Sequence, residues 1–121
     1  MLTSRAHRNL DVWKRAIGLA KVVYRATQRF PGSEQFGLTS QMKRAVVSIS
    51  SNLAEGAARS SKKEFLRFIH VAQGSASELD THAELAKELG FWDEETYGEI
   101  ISEIQIISKQ LFGLARSLRS R

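Results

Sequence analysis

The chain of 121 residues contains no cysteine. That absence removes disulfides, thiolate metal ligands and thiol nucleophiles together, and it fits a reducing cytosol. Only one proline is present, Pro31, so most of the chain is free of the strongest helix breaker. The β-branched residues recur at helical rather than alternating spacing, which leaves strands with little support. No uncharged apolar run approaches the roughly 20 residues a membrane span requires, and the start, MLTSRAHRNLDVWK, has no apolar stretch of signal-peptide length. The expectation is a single cytoplasmic domain over residues 1–121 with no membrane partner, long enough to bury a core without staples.

The parts of an enzyme are missing too. His70 and His82 would sit on one helix about 120° apart, too far to share a metal, and His7 lies near the start of the chain. Glu78 and His82 are i, i+4 neighbours, but the paired Glu-x-x-His of a carboxylate di-metal bundle is absent. An ordinary surface ion pair is the expectation for them. No glycine-rich phosphate loop and no nucleophile motif occurs. Neither catalysis nor a cofactor nor a metal site is expected.

What is present is amphipathic periodicity. Four helices are predicted, over about 9–30, 38–58, 62–89 and 93–118. The first carries Trp13, Ile17, Ala20, Tyr24 and Thr27 on one expected core side, with Lys14, Lys21, Arg25 and Arg29 away from it, and Pro31-Gly32 stops it. The second repeats Leu38, Met42, Ala45, Ile49, Leu53 and Gly56 every three or four residues. The third opens on a capping box, Ser61-Lys62-Lys63-Glu64, then buries Phe65, Phe68, Ile69, Ala72, Ala76, Leu79, Ala83 and Ala86 before Gly90 ends it. The fourth starts near Asp93 and runs through Tyr97, Ile101, Ile104, Ile107, Leu111, Leu114 and Leu118. Short connections force each helix antiparallel to the last, so the predicted fold is all-α, an up-down-up-down four-helix bundle.

Beside the apolar face of the second helix, Gln41, Arg44, Ser48, Ser51, Asn52, Glu55 and Arg59 fall within about a quarter turn of one another. Two readings are open. A solvated face would carry a Glu55–Arg59 pair worth only about 0.3–0.5 kcal/mol. Alternatively the ribbon meets a second subunit or a nucleic acid, with small Ser48 and Ser51 admitting a neighbour and the longer side chains offering directional hydrogen bonds. On the third helix Gly74, Ser77 and Thr81 lie opposite the core, where glycine costs about 1 kcal/mol relative to alanine. A close-packed neighbour would account for Gly74; a tolerated glycine is the plain alternative.

The stretches LDVWKRAIGLAKVVY, FPGSEQFGLTSQMKRAVVSISSNLAEGAARSSKKEFLRF and AQGSASEL resemble the four-helix-bundle proteins encoded in intervening sequences of bacterial 23S ribosomal RNA genes. The resemblance covers nearly the whole chain and is most specific in SISSNLAEG following FGLTSQMKRA. A related branch is the accessory variability protein of diversity-generating retroelements, which works beside a reverse transcriptase. The resemblance implies a homopentameric ring of bundles with a basic surface, nucleic-acid binding and no enzymatic activity. It also implies that Gln41, Arg44, Ser48, Asn52, Glu55, Gly56 and Arg59 are hallmark positions, structural or interfacial rather than catalytic. The partners it suggests are further copies of the chain, RNA or DNA, and a reverse transcriptase or other nucleic-acid enzyme.

The formal net charge is +5, and its distribution matters more than its sum. Residues 1–31 hold seven basic side chains against Asp11 alone, whereas residues 64–99 hold nine acidic ones against Arg67 and Lys87. In an antiparallel bundle one pole would collect Arg5, Arg8, Lys14, Arg15, Arg59, Lys62, Lys63, Arg67, Arg116, Arg119 and Arg121, and the other Glu84, Glu88, Asp93, Glu94, Glu95 and Glu99. Such asymmetry suits steering toward phosphate and orienting subunits alike. No aromatic ladder, zinc finger or strand platform is present, so binding is expected to be mainly to nucleic-acid backbone and weakly sequence-specific. The leading expectation is a non-catalytic, self-assembling basic scaffold that binds nucleic acid. The rival is a protein–protein adaptor whose basic pole serves solubility.

Overall fold

The computed structural model describes residues 6–120, and Arg5 and Arg121 of the expected basic pole lie outside them. Four helices account for the fold: α1 (Asp11–Ala26), α2 (Leu38–Ala57), α3 (Lys62–Glu88) and α4 (Glu94–Arg119), with short 3-10 turns at Ala6–Asn9, Thr27–Arg29 and Gly32–Glu34. No strand occurs among the described residues. Each helix packs on the next and α4 returns to α1, which closes the up-down-up-down bundle; α2 and α3 make the most extensive contact.

The helix ends follow from local chemistry. Ser61 caps α3, its hydroxyl accepting from the Glu64 N–H at 3.1 Å. Glu64 does not complete the reciprocal half of a capping box, because its carboxylate is turned toward Arg67. Asp93 caps α4 by accepting from the Thr96 N–H at 2.8 Å, and this bond holds the Asp93 carboxyl below its ordinary range. At the start of α2, Gly37 offers no side chain, and Glu34 reaches over instead to accept from the Leu38 N–H at 3.0 Å. Gly90 takes φ +76° at the end of α3, a left-handed turn that side chains disfavour. α1 ends earlier than expected, at Ala26, its last turn tightening into the 3-10 segment Thr27–Arg29.

The expected core stripes of α2 and α4 face the interior, with Met42, Ile49, Leu53, Ile104, Ile107 and Leu111 almost wholly buried. α3 buries Ile69, Ala72, Ala76, Leu79, Ala83 and Ala86, while Phe65 and Phe68 are only partly covered. The expected stripe of α1 is corrected. Its core face is Val12, Ala16, Leu19 and Val23, whereas Ile17 and Tyr24 remain 37% and 43% exposed. The cause is a charge-free sector of about half a turn on α1. Only part of so wide a sector can turn inward, and the purely aliphatic part does. At one end of the bundle Phe30, Phe91 and Trp92 cluster, with ring centroids 5.1 and 5.5 Å apart. Trp92 Nε1 donates to the Ala26 carbonyl at 2.9 Å, tying the α3–α4 connection to the end of α1.

Candidate nucleic-acid interface

Antiparallel packing brings four chain segments to one pole. A shallow hollow there is lined by Ala6 and Leu10 ahead of α1, Ala57 at the end of α2 and Arg59 just after it, Ser61, Lys62 and Phe65 at the start of α3, and Leu118 at the end of α4. Around it, Arg8, Lys63, Arg67, Arg116 and Arg119 are exposed. The Arg59 and Arg67 guanidiniums lie 5.1 and 4.4 Å from the centroid of the same Phe68 ring, so one aromatic side chain holds two cations together. Arg59 also reaches Glu55 at 2.7 Å and Arg67 reaches Glu64 at 3.3 Å. Both are exposed pairs, of the kind worth about 0–1 kcal/mol, which a phosphate can displace. The local field is visible in Glu64, whose carboxyl is held below the ordinary range first by its hydrogen bond with Arg67, and further by Arg59 and Lys63.

Two other cations are held by neighbours. Arg8 lies 5.3 Å over the Trp13 ring, against whose edge His7 packs. Arg15 points Nη1 at both carboxylate oxygens of Glu103, at 2.6 and 2.8 Å, and so bridges α1 and α4. Lys14 is exposed one residue before it.

The opposite pole carries the expected acids, all exposed. Tyr97 donates to Glu84 at 2.7 Å, which lowers the Glu84 carboxyl and pushes the Tyr97 hydroxyl up to about 12. The end of α1 also delivers cations here: Arg25 and Arg29 line a hollow with Glu99 and Thr96, and Arg29 lies within electrostatic reach of Asp93. The two poles therefore differ less than the charge tally along the chain suggests.

The polar ribbon of α2 divides. Gln41, Arg44, Ser51, Glu55 and Arg59 face water. Ser48, Asn52 and Gly56, four residues apart, face α3 of the same chain. Asn52 Nδ2 donates to the Ser48 carbonyl at 2.8 Å and to Ser48 Oγ at 2.9 Å; Ser48 Oγ lies 2.8 Å from Ser75 Oγ, and Ser75 donates to the Val71 carbonyl. With Ser48 donating to Ser75, every hydroxyl in this chain of bonds is satisfied. Gly56 lies directly over Phe68 and Phe65, where a Cβ would come within 2.7 Å of the Phe68 Cβ. Gly74 and Ser77 are exposed on the far side of α3, with open space above Gly74.

His82 departs from the expected surface pair. It is 7% exposed, with Nδ1 buried and without a hydrogen-bond partner, while Glu78 stands in water 3.8 Å from its Nε2. Burial lowers its pKa from the ordinary 6.5, against an opposing pull from Glu78. No group of His, Asp or Glu among the described residues is arranged to hold a metal ion, and no described helix is long and apolar enough to cross a membrane.

The arrangement defines a helix bundle with a four-ended basic pole and a tightly seamed α2–α3 pair. Residues 8–113 match the family of 23S rRNA-intervening sequence proteins, and the chain belongs to that family. A crystal structure of a Bacteroides thetaiotaomicron protein, of unknown function and from the S23 ribosomal protein family, is similar at a TM-score of 0.78 and 21% identity, over 86% of this chain and 97% of that one. At that identity the likeness shows the fold alone. None of the curated proteins compared with the chain matches it.

Proposed function

We propose that the chain is a non-catalytic, self-assembling cytoplasmic scaffold that binds nucleic acid mainly through backbone charge at its basic pole. The observation carrying this reading is the convergence of cations from four chain segments, with Arg59 and Arg67 gathered on the Phe68 ring. Family membership supports it. The assembly that the resemblance implies is a pentamer, and the protein partner it suggests is a reverse transcriptase or other nucleic-acid enzyme, as in the retroelement branch. A second reading, a protein–protein adaptor without nucleic acid, is favoured by one observation: large apolar side chains stay in water along α1 and the α1–α2 connection.

The test is fluorescence anisotropy with unrelated single-stranded oligonucleotides across a salt series. Lys62→Glu, Lys63→Glu and Arg67→Glu together should weaken binding to all sequences alike. Loss of three phosphate contacts should flatten the slope of log K against log salt by up to about 2 units on single strands. Absence of binding at low salt, or an unchanged slope in the triple variant, would transfer the function to the adaptor reading.

A further inference from the structure

The side chains that α1 leaves in water do not stand alone. Ile17 and Tyr24 on α1, Phe36 in the connection and Val47 on α2 are exposed together, Phe36 to 90%. They line two adjoining grooves that share Tyr24. The rims are cationic: Lys21, Arg25, Lys43 and Arg44 line the same grooves, with the Lys43 Nζ 4.7 Å from the Tyr24 ring centroid, and no acidic side chain is among the lining residues. Leaving Phe36 in water forfeits the gain that burying so large an apolar side chain would return. The groove therefore asks for an occupant that is apolar along its centre and acidic at its edges.

The chain carries such a surface. From Val71 to Leu89 the outward sector of α3, within about 60° either side of Gly74, carries Val71, Leu85 and Leu89, each exposed to about half its area, together with Glu78 and Glu88; the cations of the same sector, Arg67 and Lys63, lie one and two turns before Val71, at the basic pole. Ser77 and Thr81 keep the middle of this ridge low, and the space above Gly74 is open. The ridge's charge is opposite in sense to that of the groove, the condition that sets register and excludes wrong partners.

We propose that the α1–α2 groove of one copy receives the outward face of α3 of a second copy. The inference rests on the self-assembly reading and names the surfaces that carry it. Groove and ridge are different patches of one molecule, so the contact is heterologous: each copy offers a free groove at one side and a free ridge at another, and repetition builds a ring or filament rather than a two-fold dimer.

Sedimentation velocity at micromolar concentration tests it with two exposed-surface variants, checked for unchanged helicity by circular dichroism. Lys21→Glu/Arg44→Glu reverses the groove, and Thr81→Lys/Glu88→Lys reverses the ridge. Each alone should weaken assembly about tenfold or more. A mixture of the two should assemble again in alternation, because the acidic groove of one variant meets the basic ridge of the other while the unaltered groove of the second meets the unaltered ridge of the first, and the chain carrying all four substitutions should also assemble. Assembly of the unsubstituted protein that survives both variants would overturn this pair of surfaces and leave self-assembly standing, as would a four-fold variant or a mixture that stays monomeric. A monomeric unsubstituted protein would overturn the self-assembly reading and this inference together.

Discussion

Gly56 decides how closely α2 approaches α3, and replacing it with alanine separates two opposed effects. In an open helix the change would gain about 1 kcal/mol, because alanine loses less backbone entropy than glycine. Here the added methyl would sit 2.7 Å from the Phe68 Cβ, 2.9 Å from Phe65 Cδ1 and 3.3 Å from the Phe65 carbonyl oxygen. The nearest of these atoms is fixed directly to the α3 backbone and cannot rotate aside, so the helices must separate. Overpacking of this kind costs about 1–3 kcal/mol. With the contact at the short end of the range, Gly56→Ala should lose a net of about 1–2 kcal/mol. Gly18, on the exposed side of α1 with nothing near its missing Cβ, is the control and should gain up to about 1 kcal/mol as alanine. Urea unfolding of both variants and the parent at one protein concentration measures the difference, since assembly makes apparent stability concentration-dependent. If Gly56→Ala is as stable as the parent while Gly18→Ala shows its gain, the close α2–α3 seam is refuted.

Leu111, fully buried among the four helices, should cost about 2–5 kcal/mol as alanine, and a midpoint unchanged in urea would place that face of α4 in solvent. His82 sets a pH dependence: its folded pKa lies below the ordinary 6.5 because burial disfavours the charged ring, so the unfolded chain takes up a proton that the folded chain does not. Its contribution is complete above about pH 6.5 and is lost as pH falls toward the folded value. His82→Phe should remove the loss of stability between about pH 6.5 and pH 5, before the carboxyls titrate; melting temperatures that fall equally in parent and variant would contradict this.

The α2 stripe was legible because its apolar sector is narrow and bordered at once by Gln41, Arg44 and Asn52. α1 was not, because Trp13, Ile17, Ala20 and Tyr24 continue the apolar sector of Val12, Ala16, Leu19 and Val23 without a charge between them. Periodicity names a face but not which half of a wide one turns inward. The polar ribbon could be seen, but not that Ser48 would find Ser75, because that pairing depends on the register of α2 against α3. Chain order and antiparallel topology were enough to place most of the basic pole. They could not show Arg59 and Arg67 meeting on one ring, nor Arg15 tied to Glu103. Phe36 gives no signal in the sequence because a single aromatic in a connection has no period, and its 90% exposure becomes informative only beside Tyr24 and Val47. His82 was expected in water beside Glu78, since an i, i+4 spacing says nothing of what covers one partner.

The most direct test of the central claim is to photo-crosslink the protein to a uniform single-stranded RNA and map the modified peptides by mass spectrometry. Crosslinks should fall within residues 7–14, 59–68 and 112–119, the segments that converge at the basic pole, and should fade together as salt is raised. Crosslinks confined to the acidic pole at residues 93–99, or to the groove around Tyr24 and Phe36, would contradict it.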